Sequence, residues 1–385
     1  MSPCSSILYI DIEGGWGGSS RSLYYLIKHL NKKQYHPIVF LGKHGPIISR
    51  YQKECIETHL FSPIPRTTAM AKSNIRASLL FLSQMVFLPA LIIKVRKIIL
   101  KHKISIIHMN HESLFFLGLI CKWFFKCKIV YHVRTMLPKN VWAKIQIFIA
   151  VETAEALIFI TENERSQWHE ILGKSKKISQ SIIHNIADSI KISSPQEILK
   201  DVSGKFKVVS LMTLSYSRGV DRLIDVGLCL RKSQSTDIVF VLCGKADDKA
   251  YEKGIRERIR VEEMSESFLF LGHQKTPEAV LSECDILIRP SREYNPWGRD
   301  VIEALAMGIP VIAIGTYDKF VEEGVNGYLF PEFDAEKIAE KIIYLSKHPE
   351  VAQRIKRANI EKAKRLFDGH INAVKVEAVY DSVLK

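Results

Sequence analysis

The chain has 385 residues, enough for two domains that each bury a core of their own. With 47% hydrophobic and 25% charged residues it is neither disordered throughout, nor fibrous, nor mostly embedded in a membrane. The net charge of +14 is lopsided: residues 1–190 carry 25 Lys and Arg against 11 Asp and Glu, and residues 191–385 carry 30 against 30, so an anionic surface or substrate is expected to meet the first half.

Ser6 to Ile12 is a short apolar run that ends in the glycine-rich EGGWGGSSRS and passes into the helical pattern SLYYLIKHL. Strand, glycine turn and helix in that order open an α/β unit, with the free amides of the helix start facing the loop. Further apolar runs follow near Ile38 to Leu41, Ile104 to Asn110, Lys128 onward and Ala156 onward, and Glu57 to Phe61 is a candidate for one more strand. Most of these runs are continuous, as expected of parallel strands covered on both faces.

Between Lys191 and Lys205 the chain turns polar, which sets a domain boundary. A second series of runs then covers Lys207 to Thr213, Ile238 to Gly244, Ser267 to Gly272, Asp285 to Ser291 and Pro310 to Gly315, separated by helical stretches. The expected fold class is α/β, two Rossmann-like doubly wound domains at 1–190 and 205–365. The tail at 366–385 reads as a last helix that returns towards the first domain.

Seven cysteines, an odd number without a CxxC pair, read as mostly buried thiols in a reducing compartment and form neither a disulfide framework nor a zinc site. The N-terminal segment lacks a basic stretch followed by an apolar run, so cytoplasmic residence is the expectation. Residues 77–93 carry no charge but are shorter than the roughly 20 residues that cross a bilayer, and Pro89 interrupts them. With the aromatic and basic SLFFLGLICKWFFKCK, they suggest peripheral contact with an anionic membrane, against the alternative of plain sheet-covering helices. No recognition motif or basic helix supports a nucleic-acid partner.

The segment RPSREYNPWGRDVIEALAMGIPVIAIGTYDKFVEEGVNGYL, from Arg289 to Leu329, resembles the nucleotide-sugar-binding region of the retaining glycosyltransferases of family 4. The turn at Gly14 to Gly18, HNIAD at His184 to Asp188 and SYSRG at Ser215 to Gly219 extend the resemblance over most of the chain. It implies the GT-B fold, two Rossmann-like domains facing a cleft with a C-terminal helical tail. It also implies transfer of a sugar from a nucleoside-diphosphate sugar, a UDP-sugar favoured, to a glycan or lipid-linked acceptor. A small soluble acceptor and a non-catalytic scaffold are the alternatives. Neither a cofactor nor a metal is expected beyond the donor.

By the same resemblance Glu303 binds the ribose of the donor, and Asn295, eight residues earlier, stands where relatives carry an acid that holds the transferred sugar. An amide both donates and accepts there but carries no charge, and Glu293 is the alternative. Arg218 takes the place of a lysine that contacts the diphosphate, with Gly219 turning the backbone into the next helix, while Thr213 stands where a second basic residue is usual. Pro296, Trp297, Gly298 and Arg299 lead into the helix of Glu303, whose free amides favour an anion. Thr316 and Tyr317 are assigned to the donor site as well. In the first half Gly17 and Gly18 are expected at the donor, His132 at the sugar near the reaction centre, and Arg134 at the acceptor or phosphate.

Overall fold

The structure is a computed structural model that describes residues 4–65, 75–173, 178–187 and 198–385. Asp188 and much of the expected boundary segment lie outside the described residues. The chain divides into two compact units, one of Met1–Ile186 with Gly369–Lys385 and the other of Ala187–Asp368.

The first unit runs β1 (Ser5–Asp11), α1 (Gly18–His29), β2 (Tyr35–Leu41), α2 (Ile47–Lys53) and β3 (Glu57–Leu60). It continues with α3 (Ile75–Met85), α4 (Leu88–His102), β4 (Ile104–Met109), α5 (Phe115–Phe125) and β5 (Lys128–Val133). Then come α6 (Val141–Thr153), β6 (Ala156–Phe159), α7 (Glu162–Leu172) and β7 (Ser179–Ile182). The strands form a parallel sheet in the order β3-β2-β1-β4-β5-β6-β7. Leu91 and Val95 of α4, Leu117 of α5 and Ile147 of α6 cover one face. Leu23 and Ile27 of α1 cover the other.

The second unit runs β8 (Phe206–Ser210), α8 (Arg222–Lys232), β9 (Ile238–Cys243), α9 (Lys249–Val261), β10 (Phe268–Gly272) and α10 (Pro277–Ser282). It is completed by β11 (Ile286–Arg289), α11 (Arg299–Met307), β12 (Val311–Ile314), β13 (Gly327–Phe330), α12 (Ala335–Lys347) and α13 (Pro349–Leu366). Its parallel sheet has the order β10-β9-β8-β11-β12-β13. Both sheets reverse direction beside their first strand, and in such sheets the loops after the strand C-termini at that point line the ligand site.

Two strands escape the sequence reading, β7 and β13, and both are sheet edges. The SQSI of β7 has no apolar run because an edge strand is half solvated, and the GYLF of β13 is too short to signal by pattern. The thiols also divide: Cys121, Cys127, Cys243 and Cys284 are buried, but Cys4 and Cys55 are exposed. The apolar stretch at 77–93 is two helices, α3 and α4, broken at Val86–Phe87, with Pro89 in the first turn of α4 where it costs no hydrogen bond. No helix among the described residues is long and apolar enough to cross a membrane.

The last helix, α14 (Gly369–Leu384), belongs to the first unit. Ala373, Val376, Val379, Tyr380 and Val383 lie on the core face that α1 also covers. The Tyr380 hydroxyl lies 2.7 Å from His108 Nδ1 and 3.1 Å from the Tyr9 hydroxyl, and its ring packs edge-on against Tyr35 at 5.6 Å. The backbone amide of Asn31 donates to Glu377 at 2.6 Å, and Lys128 Nζ donates to the Val383 carbonyl at 2.6 Å.

Burial, helped by the Arg134 charge, pushes the His108 pKa down to about 3. An unfolded histidine takes up its proton near 6.5, so between 6.5 and 3 the unfolded chain binds a proton that the native chain refuses. Stability should therefore fall as pH drops through that window. Urea unfolding against pH should show the decline, and His108→Gln should flatten it. Tyr380→Phe, which leaves a buried His108 nitrogen without its hydrogen-bond partner, should cost about 1–3 kcal/mol at neutral pH.

Candidate active site

In the second unit the site is built where β8 and β11 end. Arg289, the last residue of β11, is buried, and its NH1 donates to both Asp300 oxygens at 2.6 and 2.7 Å. Its Nε donates to the Asn295 carbonyl at 2.8 Å and its NH2 to Asn295 Oδ1 at 2.9 Å. One guanidinium thus ties the loop 290–298 to the first turn of α11. A buried charge is tolerated when paired and fully hydrogen-bonded, and removing one partner of such a pair typically costs about 3–5 kcal/mol. Neither Arg289 nor Asp300 had been assigned a role from sequence, since an arginine ending an apolar run reads as a surface charge.

The same loop is fastened to the turn that carries Arg218. Arg292 donates its amide to the Ser217 carbonyl at 2.9 Å and clasps Asp221 through two bonds of 2.7 Å. Burial opposes ionisation of Asp221, but Arg292 and the Tyr251 hydroxyl outweigh it and hold its pKa below the usual carboxylate range. Gly219 turns with φ +71°, and a side chain there would meet the Pro290 carbonyl at 2.2 Å. The sequence assigned this glycine to the turn, and the close strand-end packing is the reason it is required.

Arg218 NH1 donates to Glu293 Oε2 at 2.7 Å, and Asn295 Nδ2 donates to the same oxygen at 2.9 Å. Glu293 and Asn295, weighed as alternatives from the sequence, are therefore neighbours in one hydrogen-bonded chain: Arg218, Glu293, Asn295, Arg289, Asp300. Arg218 is about one-third exposed. Gly298 caps α11, and a Cβ there would sit 2.3 Å from Asp300 Oδ1 and 2.4 Å from Arg289 NH1. Within α11 Arg299 Nε lies 2.7 Å from Glu303 Oε1, both side chains nearly out of solvent. The helix start thus presents its amide end beside two guanidinium groups, an electrostatic setting for an anion.

Thr316 and Tyr317, both expected at the donor site, follow β12. Tyr317 is buried, its ring edge-on to Trp297 at 5.3 Å and to Phe320 at 5.3 Å. It packs the core behind the loop because an aromatic ring beside Trp297 gains more from burial than from facing solvent. Thr316 is exposed next to it, and Pro296 is buried against Gly315.

In the first unit the end of β5 carries His132 and Arg134, both buried. Arg134 Nε donates to the Asn110 carbonyl and to Asn110 Oδ1 at 3.1 and 2.9 Å, and its NH1 donates to Asn185 Oδ1 at 2.6 Å. Its NH2 lies 3.2 Å from His132 Nδ1. The guanidinium of Arg134, expected at the acceptor or phosphate, is thus bonded to groups of its own unit. An arginine only donates, so His132 Nδ1 is the acceptor and the ring proton sits on Nε2. That Nε2 is buried and makes no hydrogen bond with the protein. Burial first, then the charge of Arg134 and the neighbour His108 at 5.4 Å, pushes the His132 pKa well down, so the ring is a neutral donor.

Around this pair stand groups the sequence reading did not single out. Glu112 is fully buried and accepts from the Arg134 amide at 3.1 Å and from the Thr135 hydroxyl. Asp11, at the end of β1, is buried beside Ser20, Asn110 and Arg134, and burial raises its pKa despite those partners. Asn185 of the HNIAD segment is explained by its bond to Arg134, and His184 Nδ1 lies 2.7 Å from the Ile160 carbonyl. Gly17 and Gly18 begin α1, and a Cβ at either would meet nothing within 4 Å. Within this unit Gly14 is the sterically required glycine of the turn, since a Cβ there would fall 2.0 Å from the Lys43 carbonyl.

No acidic or histidine grouping with metal-ligand spacing occurs among the described residues near Arg218 or α11; the one found lies at Glu57, His59 and His102. A recess of about 530 Å³ between Lys205, Arg231 and Met264 lies at the opposite, N-terminal ends of β8 to β10 and takes no part in this site.

Residues 194–362 match the family model "Glycosyl transferases group 1", and residues 16–188 match "Glycosyltransferase Family 4". Poly(glycerol-phosphate) alpha-glucosyltransferase of Bacillus subtilis is 22% identical over 57% of this chain and 32% of its own length. Phosphatidyl-myo-inositol mannosyltransferase of Mycobacterium leprae is 24% identical over 38% of each chain. This chain thus spans roughly a third of the length of those two curated relatives. Anabaena HepE in complex with UDP-glucose shares the fold with a TM-score of 0.80 at 22% identity, over 98% of this chain and 99% of that one. Sucrose-phosphate synthase of Thermosynechococcus elongatus does so with a TM-score of 0.76 at 17% identity, over 98% and 99%. With both sheets accounted for and the two family models lying end to end along it, the chain belongs to the group 1 glycosyltransferases of GT-B fold.

Proposed function

We propose that the protein transfers a sugar, with retention of anomeric configuration, from a nucleoside-diphosphate sugar to a hydroxyl of a lipid-linked or cell-surface glycan. A UDP-sugar is the favoured donor, and the cytoplasmic face of an anionic membrane is the proposed place of work. The observation that carries the reading is the convergence of Arg218, the amide end of α11 and the buried Glu303 at the ends of β8 and β11. The names of relatives point the same way: HepE was solved with UDP-glucose, and poly(glycerol-phosphate) and phosphatidylinositol stand in the names of two curated relatives.

In this reading the α11 amides and Arg218 hold the diphosphate and stabilise the charge that grows on it as the sugar leaves. Glu293, which pairs with Arg218, yields to the phosphate oxygens and turns with Asn295 towards the sugar hydroxyls. Glu303 accepts from the ribose, held in place by Arg299. The acceptor hydroxyl attacks on the face the diphosphate leaves, and its proton passes to the departing phosphate oxygen. No side chain is required as a base. His132 donates from Nε2 to a sugar oxygen and stays neutral while doing so.

Support for the membrane comes from the outer surface of the first unit. Trp123 and Phe124 at the end of α5, and Val141, Trp142, Ile145 and Phe148 on α6, are exposed, as are Leu82, Val86 and Phe87. Residues 75–151 hold twelve Lys and Arg and a single acidic residue, the buried Glu112. The α6 face was missed in the sequence because its apolar residues continue all round the helix and read as core.

UDP should raise the thermal midpoint by several degrees at about one hundred times its dissociation constant, more than GDP or ADP at equal concentration. Glu303→Gln should weaken UDP by roughly 10- to 100-fold, the value of a lost charged hydrogen bond, as titration calorimetry would measure. Because His132 is held neutral, chiefly by burial, kcat/KM should show no acid limb near pH 6.5. Vesicles with anionic lipid should sediment the protein at low salt and release it at high salt, and Trp142→Glu with Phe148→Glu should abolish the binding.

A further inference from the structure

Away from the strand C-termini, at the opposite end of the first sheet, two imidazoles meet one carboxylate. Glu57 and His59 stand two apart on the edge strand β3, so their side chains share a face. His102 ends α4, the helix that covers that face through Leu91, Val95 and Ile98. His59 Nε2 lies 3.0 Å from Glu57 Oε1, and His102 Nε2 lies 3.2 Å from the same oxygen.

These contacts do not have hydrogen-bond geometry. Both Nε2 atoms are buried, and neither has a hydrogen-bond partner in the protein. Imidazole nitrogens set about 3 Å from a carboxylate oxygen without a hydrogen bond gain little from their closeness, and buried polar atoms left unmatched are costly. A cation seated among the three atoms removes that cost. The spacing suits one: ligand atoms on a tetrahedron with metal bonds of about 2.0–2.1 Å stand roughly 3.3 Å apart. The ring of His36, on neighbouring β2, stacks on His102 at 6.5 Å and backs it.

We propose that Glu57, His59 and His102 form a binding site for a divalent transition-metal ion, zinc foremost, that fastens the edge strand β3 to the end of α4. The two-imidazole, one-carboxylate set is the ligand chemistry zinc takes, with water in the fourth position. By clipping residue 59 to residue 102 the ion closes a long stretch of chain, where a cross-link removes much unfolded-state entropy. The site lies at the N-terminal end of β3, so its role is structural and separate from sugar transfer. Lys101, whose Nζ donates to Glu57 Oε1 at 3.1 Å, supplies the positive charge in the metal-free protein, and as a largely exposed side chain it swings away when the ion enters. Lys94 is held elsewhere, on the Leu60 carbonyl at 2.7 Å.

The test uses the full chain, its affinity tag removed and its metal stripped, titrated with Zn²⁺ alone. One equivalent should bind and raise the thermal midpoint by roughly 5 °C or more at about one hundred times the dissociation constant. Co²⁺ in its place should give the visible absorption of a tetrahedral ion. His59→Gln and His102→Gln should each weaken Zn²⁺ at least tenfold while matching the wild-type midpoint in chelator, which separates lost binding from lost folding. Lys101→Ala should bind Zn²⁺ as well as the wild type or better, whereas a simple ion-pair cluster would lose stability there and gain nothing from metal. Absence of a one-to-one uptake, or an uptake that survives His59→Gln together with His102→Gln, overturns the proposal. Chelator should leave UDP binding unchanged, so the outcome stands apart from that of the glycosyltransferase reading.

Discussion

The buried pair of Arg289 and Asp300 is the interaction on which the second unit's site depends. A parallel strand that ends in a charge must satisfy it within the few residues that follow. Here the guanidinium does so by drawing the start of α11 and the backbone of Asn295 onto the strand end. That fixes where the helix amides point and leaves no room for a side chain at residue 298. The helix dipole becomes useful to an anion because a buried ion pair has aimed it.

The first unit solves the same problem with the same residue type. Arg134 ends β5 as Arg289 ends β11, and it too is consumed by backbone and amide oxygens within its own unit. Its product is the orientation and protonation state of His132. Both arginines therefore act through their neighbours, while Arg218, about one-third exposed, and the buried Nε2 of His132 keep donors to spare. The electrostatic cost of burying two guanidinium groups is offset by their hydrogen bonds.

Much of the fold was legible in the residues. Continuous apolar runs marked the central strands of both sheets, since a strand buried on both faces has no polar alternation to hide it. The edge strands β7 and β13 were not legible, because the half-solvated SQSI has no apolar run and GYLF is a four-residue strand that opens on glycine. Of the site, the segment around Glu303 could be read from its order of glycine, charge and helix. The partners could not: Glu293 against Arg218, Asn185 against Arg134 and Asp221 against Arg292 are separated by 51 to 75 residues. Nor does anything local say that Trp297 and Phe320 close around Tyr317.

The sequence alone determined the two α/β sheets, the helix that bears Glu303 and the basic bias of the first half, because periodicity and composition are local properties of the chain. Tertiary structure alone decided which charges are spent and which are spare. Whether an arginine binds a ligand or braces a loop depends on what lies within 3 Å of it, and that neighbourhood is made by strands that meet only after folding. The convergence of Glu57, His59 and His102 belongs to the same class, for only the packing of α4 across β3 brings a residue from position 102 onto the edge strand.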